Sequence, residues 1–294
     1  MENEMADDIR GYWAAIATPI AADGSVDNAL LARHAADLLG QGLDGLVLFG
    51  TTGEGTSFSA KERLDTVSAL LKGGIGPDRL ALGTGYPSIA DTISLTKDML
   101  ALGLRHALVL PPYFYRDATP AGLEDAFTAV FDKVNDSRLR ATLYNIPQVS
   151  GVAVPPAVLA SLSARFGAII AGVKDSSADF EQFRAYRAAA PKLSITVGDE
   201  ASIARAIAEG GTGTICGMAN IVPALVKTMF DGLDSEPAMR SALALMQGPF
   251  ISLLKSILAA QTGEAGWSRV RAPLSALPAS RGEAIVAALK GLPR

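Results

Sequence analysis

The stretch Ala171-Gly172-Val173-Lys174-Asp175-Ser176-Ser177 ends an apolar run in a single lysine followed by small polar residues. Residues 168–173 read as a buried strand, and a cation at the end of a core strand is costly unless it has a partner or a task. A lysine walled by apolar side chains gives up its proton more easily, and the neutral amine can then add to the carbon of a ketone. Lys174 is therefore the candidate nucleophile of a Schiff-base reaction. Asp175 would oppose this if it faced the amine, but alternation along a strand turns it to the other face. Forming an imine moves protons to and from the carbonyl oxygen. A phenol such as Tyr144, which closes the apolar run 141–144, can shuttle them. Thr51-Thr52 lie between Gly50 and Gly53, so a turn there can offer amide N–H groups and two hydroxyls to a carboxylate.

Taken singly, each feature has a plainer reading. A strand-end lysine is more often a charge reaching solvent, and Gly-Thr-Thr-Gly is more often just a turn. A core tyrosine is more often a packing residue whose hydroxyl finds a partner. The gathering of all three at strand ends is what speaks for chemistry. Cys216 reads as a small core residue. His34 lies in a helix and His106 at the start of a strand, and two separate histidines with one cysteine make no zinc or iron cluster.

The elements that must bring these ends together alternate along the chain. Apolar runs at 13–17, 46–49, 80–83, 107–110, 141–144, 168–173, 194–197 and 213–216 make eight strands. Helical patterns lie between them. Asp27 is placed to cap the first helix, and Ser59-Ala60-Lys61-Glu62 is a capping box that opens the second. Strands apolar at every position are those buried on both faces of a parallel sheet. The reading is an α/β fold, a parallel (β/α)8 TIM barrel over residues 1–233, in which all C-terminal strand ends open on one face. A doubly wound sheet is the alternative, but Gly83-Thr84-Gly85-Tyr86-Pro87-Ser88 lacks the third glycine of a dinucleotide turn. Residues 234–294 form a C-terminal helical region, expected as helices over 239–261 and 282–290, packed on the barrel or on a neighbouring subunit.

Of the 294 residues, 19% are charged and 49% hydrophobic. That charge is below the roughly 25% of average soluble chains, so a large core and buried subunit contacts are expected. A net charge of −4 with no basic block argues against nucleic acid as a partner. The acidic opening 1–8 lacks the regions of a signal peptide, and no apolar run approaches the ~18 residues of a membrane span. One cysteine excludes an internal disulfide and suits a reducing cytoplasm.

In order along the chain, Gly50-Thr51-Thr52-Gly53-Glu54, Tyr144-Asn145-Ile146-Pro147, Gly172-Val173-Lys174-Asp175-Ser176-Ser177, Gly198-Asp199-Glu200 and Ala219-Asn220 make a set of motifs. With them the sequence resembles the dihydrodipicolinate synthase and N-acetylneuraminate lyase family of pyruvate-dependent class I aldolases. The resemblance implies a carbon–carbon or carbon–oxygen lyase with no cofactor beyond a covalent Schiff base of Lys174 with pyruvate or another 2-oxo acid. It makes Tyr144 the proton shuttle, Thr51 a carboxylate ligand, and Thr52 both a ligand and a member of the relay. Gly198, Asp199, Glu200, Ile215 and Val149 would contact substrate, Asp199-Glu200 being similar to the acidic pair with which sialic acid lyases hold sugar hydroxyls. It also implies a homotetramer built from dimers.

Two departures bear on the substrate. Synthases of the family carry an arginine two residues after the proline of Tyr-Asn-x-Pro, where it holds the carboxylate of aspartate semialdehyde, and here that position is Val149. Phe114, followed by Tyr115, stands where the family has a tyrosine that reaches the neighbouring subunit's site. A sugar-acid-type or apolar aldehyde is therefore expected as acceptor. Aspartate semialdehyde is the alternative, and a barrel that binds small molecules without turnover is the reading from another class.

Overall fold

The computed structural model describes residues 8–232 and 235–291. The first seven residues of the acidic opening and the boundary expected at 233/234 lie outside them. Eight parallel strands close into a barrel: β1 Gly11–Ala15, β2 Gly45–Leu48, β3 Leu80–Gly83, β4 His106–Val109, β5 Arg140–Asn145, β6 Ile170–Asp175, β7 Ser194–Val197 and β8 Gly213–Cys216. The ring is sealed by the pairing of Gly11 through Ala14 with Gly213 through Cys216. This is the (β/α)8 barrel expected from the alternating runs.

Helices α1 Asn28–Gly40, α2 Ala60–Lys72, α3 Ile89–Ala101 and α4 Pro120–Val134 follow the first four strands. A short α5, Pro147–Ser150, then precedes α6 Pro156–Phe166, α7 Phe180–Ala189, α8 Ile203–Ala208 and α9 Pro223–Phe230. The sequence signals for helix starts hold. Asp27 accepts a hydrogen bond from the Leu30 amide, and the box between Ser59 and Glu62 is closed in both directions.

Alternate strand positions divide the core in two. One set packs outward against the helices, and the other fills the barrel with Trp13, Ala15, Val47, Ala81, Leu108 and Ile215. A Cβ at Gly45 would stand 2.4 Å from the Trp13 ring, so this glycine makes room for the largest interior side chain. Above that layer Tyr144 and Ile146 form the floor of the open mouth.

Four expectations need correction. The first strand begins at Gly11 rather than Trp13, because Gly11 and Tyr12 pair with β8 whereas Ala17 donates to the Asn220 side chain instead. β6 does not stop at the lysine. Lys174 and Asp175 continue the ladder against Tyr144 and Asn145 on one side and Thr196 and Val197 on the other. The helix expected over 239–261 is two, α10 Glu236–Leu245 and α11 Phe250–Thr262, meeting at 99°. Gly248, at φ +124°, and Pro249 break it there, since only glycine takes that backbone readily and proline cannot donate within a helix. The last helix, α12 Ala279–Lys290, starts before the expected 282 and lies along α11.

Candidate active site

Tyr144 and Lys174 are direct neighbours across β5 and β6, so both side chains point into the barrel mouth. Lys174 is 3% exposed, and its Nζ lies 4.3 Å from the centroid of the Tyr144 ring. Asp175 points to the other face. There it accepts a hydrogen bond from the Asn145 side-chain amide at 2.8 Å and another from the Ser177 backbone at 3.1 Å. Burial pushes the Asp175 carboxyl up, and those donors pull it part of the way back. The outward side of the strand pair is thus pinned while the inward side is left to the amine. The Thr51 hydroxyl stands 3.4 Å from the Tyr144 phenol oxygen. Among the described residues this contact to the phenol falls on Thr51 and not on Thr52, which was expected in the relay. The turn Gly50–Glu54 aims the first threonine at β5, and it sends Thr52 toward Gly217 of the loop after β8.

A cavity of about 460 Å³ opens above these groups, lined by Thr51, Thr52, Tyr144, Lys174, Gly198 and Ile215 among others. Asp199, Glu200 and Val149 reach its wall as well. Glu200 Oε1 accepts the Gly217 and Met218 amides at 3.0 Å each, and burial pushes its carboxyl up. Asp199 takes the Ser202 hydroxyl. Both acids of the expected sugar-binding pair therefore already hold local donors. Val149 is 61% exposed at the rim. Phe114 and Tyr115, stacked edge to face, are 79% and 74% exposed outside the cavity. Asn220 is not in the wall. Its side chain ties the end of β8 to β1 by accepting from Ala17 and donating to Ala15 and Gly217.

Several residues at the site were not among the candidates picked out from the sequence. The Ser176 hydroxyl is buried with no hydrogen-bond partner among the described residues, lines the cavity, and lies on the same face as Lys174 two residues on. The pattern of alternation could have found it. Gln148 lines the cavity and donates to the Ser176 carbonyl at 2.5 Å. Phe250, Ile251 and Leu274 come over the mouth from the C-terminal region, and no local pattern announces them.

Gly198 is the tightest point of the wall. A Cβ there would fall 2.0 Å from the Ser176 hydroxyl and 2.9 Å from Lys174 Cε. Both side chains can retreat into the cavity, so the cost of Gly198→Ala should appear in activity more than in stability. A displacement near 1 Å is worth about 100-fold in rate. Steady-state kinetics beside a thermal melt should show kcat falling by that order with Tm lowered by only a few degrees. A normal kcat would mean that the close packing at Gly198 does not set the lysine's position.

The turn that carries the threonines is held from three directions. Arg63, buried in α2, donates to the carbonyls of Gly83 at 2.8 Å, Phe58 at 3.3 Å and Gly55. Arg271 donates to the Ser57 carbonyl at 2.8 Å, lies over the Phe58 ring and pairs with Glu62 at 2.5 Å. Lys255 of α11 pairs with Glu54 at 2.5 Å.

The Arg271 guanidinium holds the Glu62 carboxyl at about 2, against an ordinary 4.5. A depressed carboxylate contributes stability that is complete above its unfolded pKa and lost as pH falls through the folded value. The Tm of the wild type should therefore decline between pH 4.5 and about 2, and Glu62→Gln should flatten that part of the curve. Since Glu62 is a third exposed, the effect will be modest and weakened by salt. Identical acid limbs for both proteins would assign the decline to other carboxylates.

Residues 8–290 match the model of the dihydrodipicolinate synthetase family. The chain belongs to that family. A DapA-like lyase from Chloroflexus aurantiacus, itself uncharacterised, is 34% identical over 80% of this chain and 78% of its own length. The 4-hydroxy-tetrahydrodipicolinate synthase of Methylococcus capsulatus is 30% identical over 96% of this chain and 98% of its own. The crystal structure of dihydrodipicolinate synthase from Agrobacterium tumefaciens superposes with a TM-score of 0.91 at 35% identity, covering 97% of this chain and all of that one. Members of the family are class I pyruvate-dependent lyases, and this chain is a lyase or aldolase of that class. The family works through a covalent lysine Schiff base without a metal or other cofactor, and its substrates are pyruvate and aldehydes.

Proposed function

We propose that the chain cleaves a 2-oxo acid to pyruvate and an aldehyde, or joins the two, through an iminium on Lys174. The observation that carries this reading is a buried lysine set against a phenol that a threonine hydroxyl contacts in turn. The neutral Lys174 amine adds to the keto carbon, and its electron pair becomes the new C–N bond. Tyr144 relays one proton from the added nitrogen to the keto oxygen and donates its own as a second, so that the oxygen leaves as water and an iminium and a phenolate remain. In the cleavage direction the C4 hydroxyl gives up its proton to the Tyr144 phenolate. The C3–C4 bond then breaks to an aldehyde, and its electrons flow into the iminium as an enamine. Protonation at C3 and hydrolysis release pyruvate. Thr51 holds the phenol in the relay, and the Thr52 side of the turn binds the carboxylate.

The acceptor side supports a sugar-acid-type or apolar aldehyde. Ile146, Val149, Ile251 and Leu274 give it apolar walls, and Ser176, Gln148 and Glu200 supply polar atoms. A carboxylate on the aldehyde would lack the arginine that Val149 replaces. A second reading, condensation with aspartate semialdehyde, is favoured by the names of the relatives and requires another cation to hold that carboxylate. Phe114 and Tyr115, 79% and 74% exposed, offer an apolar pair to a second copy of the chain, with a cytoplasmic homotetramer as the proposed assembly.

Borohydride reduction in the presence of pyruvate, followed by peptide mass mapping, tests the imine. An adduct on Lys174 supports the reading, and no adduct anywhere would falsify it. A panel of aldehydes with pyruvate then separates the acceptors. Aspartate semialdehyde outrunning every uncharged aldehyde would overturn the acceptor assignment.

A further inference from the structure

We infer that Lys255 is a positioning residue of the active site, acting through Glu54 on the turn that carries Thr51 and Thr52; the inference rests on the Schiff-base reading above. Lys255 lies in the second turn of α11, 1% exposed, and its Nζ meets Glu54 Oε1 at 2.5 Å, with the Glu54 side chain fully buried. The other carboxylate oxygen accepts the Arg271 backbone N–H at 2.8 Å. Both oxygens of Glu54 are thus claimed by the C-terminal region.

A buried ion pair is a poor device for stability, because desolvation offsets most of the attraction and an apolar pair of similar size would serve as well. What such a pair does supply is direction. Glu54 is where direction is needed: its φ is +56°, a left-handed conformation that a glutamate adopts only when its surroundings impose it. Its amide closes the turn by donating to the Thr51 carbonyl at 3.1 Å. The Thr51 hydroxyl on that turn reaches the Tyr144 phenol at 3.4 Å, a separation at which a small shift either completes or loses the hydrogen bond.

The same helix also enters the site directly. Its first residues, Phe250 and Ile251, line the cavity over Lys174. Helix α11 therefore touches the site at its N-terminus and steers it one turn later. The C-terminal helices belong to the catalytic unit, although none of the proposed reacting groups lies on them.

The test compares wild type, Lys255→Met, Glu54→Gln and the double variant, each well below its own melting temperature. The readouts are the rate of adduct formation on Lys174 with pyruvate and borohydride, and kcat. Lys255→Met and Glu54→Gln should each slow both by about 10- to 100-fold, and the double variant should lose no more than the worse single one. A purely structural pair would lower Tm and leave the rates of the folded protein unchanged, and that result overturns the inference. Should Lys255→Met fail to fold, the nearly isosteric Glu54→Gln decides alone, a wild-type rate again overturning it. Absence of any adduct in the wild type would instead fell the Schiff-base reading, so the two failures are distinguishable.

Discussion

Lys174→Met is expected to lose essentially all turnover, at least ~10³-fold in kcat, and all borohydride-dependent labelling by pyruvate. Covalent catalysis has no substitute once its nucleophile is gone, and the remaining groups can only bind and polarise. Methionine keeps much of the stem that packs beside Gly198 and along the Tyr144 ring. No carboxylate among the described residues forms an ion pair with Lys174, so its removal leaves no charge stranded. The variant should fold with an unchanged far-ultraviolet spectrum and a Tm no lower than wild type. Labelling at another lysine, or residual turnover within tenfold of wild type, would transfer the chemistry elsewhere.

Tyr144→Phe should come next in size, a fall of about 10²- to 10⁴-fold in kcat, the range for loss of a positioned proton donor. The ring is 3% exposed and belongs to the barrel's inner cluster, and phenylalanine retains that packing. Only the phenol oxygen and its long contact with Thr51 are lost, so stability should change by less than about 1 kcal/mol. The amine itself survives, and prolonged incubation with pyruvate and borohydride should still label Lys174, only more slowly. That split between slow proton transfer and retained adduct distinguishes a shuttle from a second nucleophile. Equal kcat in the two proteins would remove Tyr144 from the chemistry.

Much of the barrel was legible because its strands are apolar at every position. Ser194–Val197 and Gly213–Cys216 occur where the runs stand in the sequence. Boundaries moved where tertiary pairing outweighed local pattern. Lys174 and Asp175 look like a strand's end because they are polar, yet their neighbours on β5 and β7 supply ladder partners for both. The tail misled for the opposite reason. Its apolar spacing runs on through Gly248-Pro249, and two residues of backbone chemistry outweigh that pattern.

The site divides in the same way. Lys174, Tyr144 and the two threonines could be picked out as candidates from residue type at strand ends, because a buried amine and an inward phenol are chemically conspicuous wherever they fall. The turning away of Asp175 followed from alternation alone. Which threonine meets the phenol did not follow, since that depends on how a five-residue turn is tilted by side chains from elsewhere. Nothing local in Ser-Leu-Leu-Lys-Ser marks Lys255 as the partner of a glutamate 201 residues earlier.

From the amino-acid order alone come the barrel and, as candidates, the lysine and the phenol, each set by periodicity or by a chemistry that few side chains possess. The three-dimensional packing alone decided which hydroxyl meets the phenol, how closely Gly198 crowds the lysine, and that the C-terminal helices grip the threonine turn. These are matters of about an ångström between segments far apart in the chain, where contact depends on the closed ring of strands and not on any neighbour in sequence.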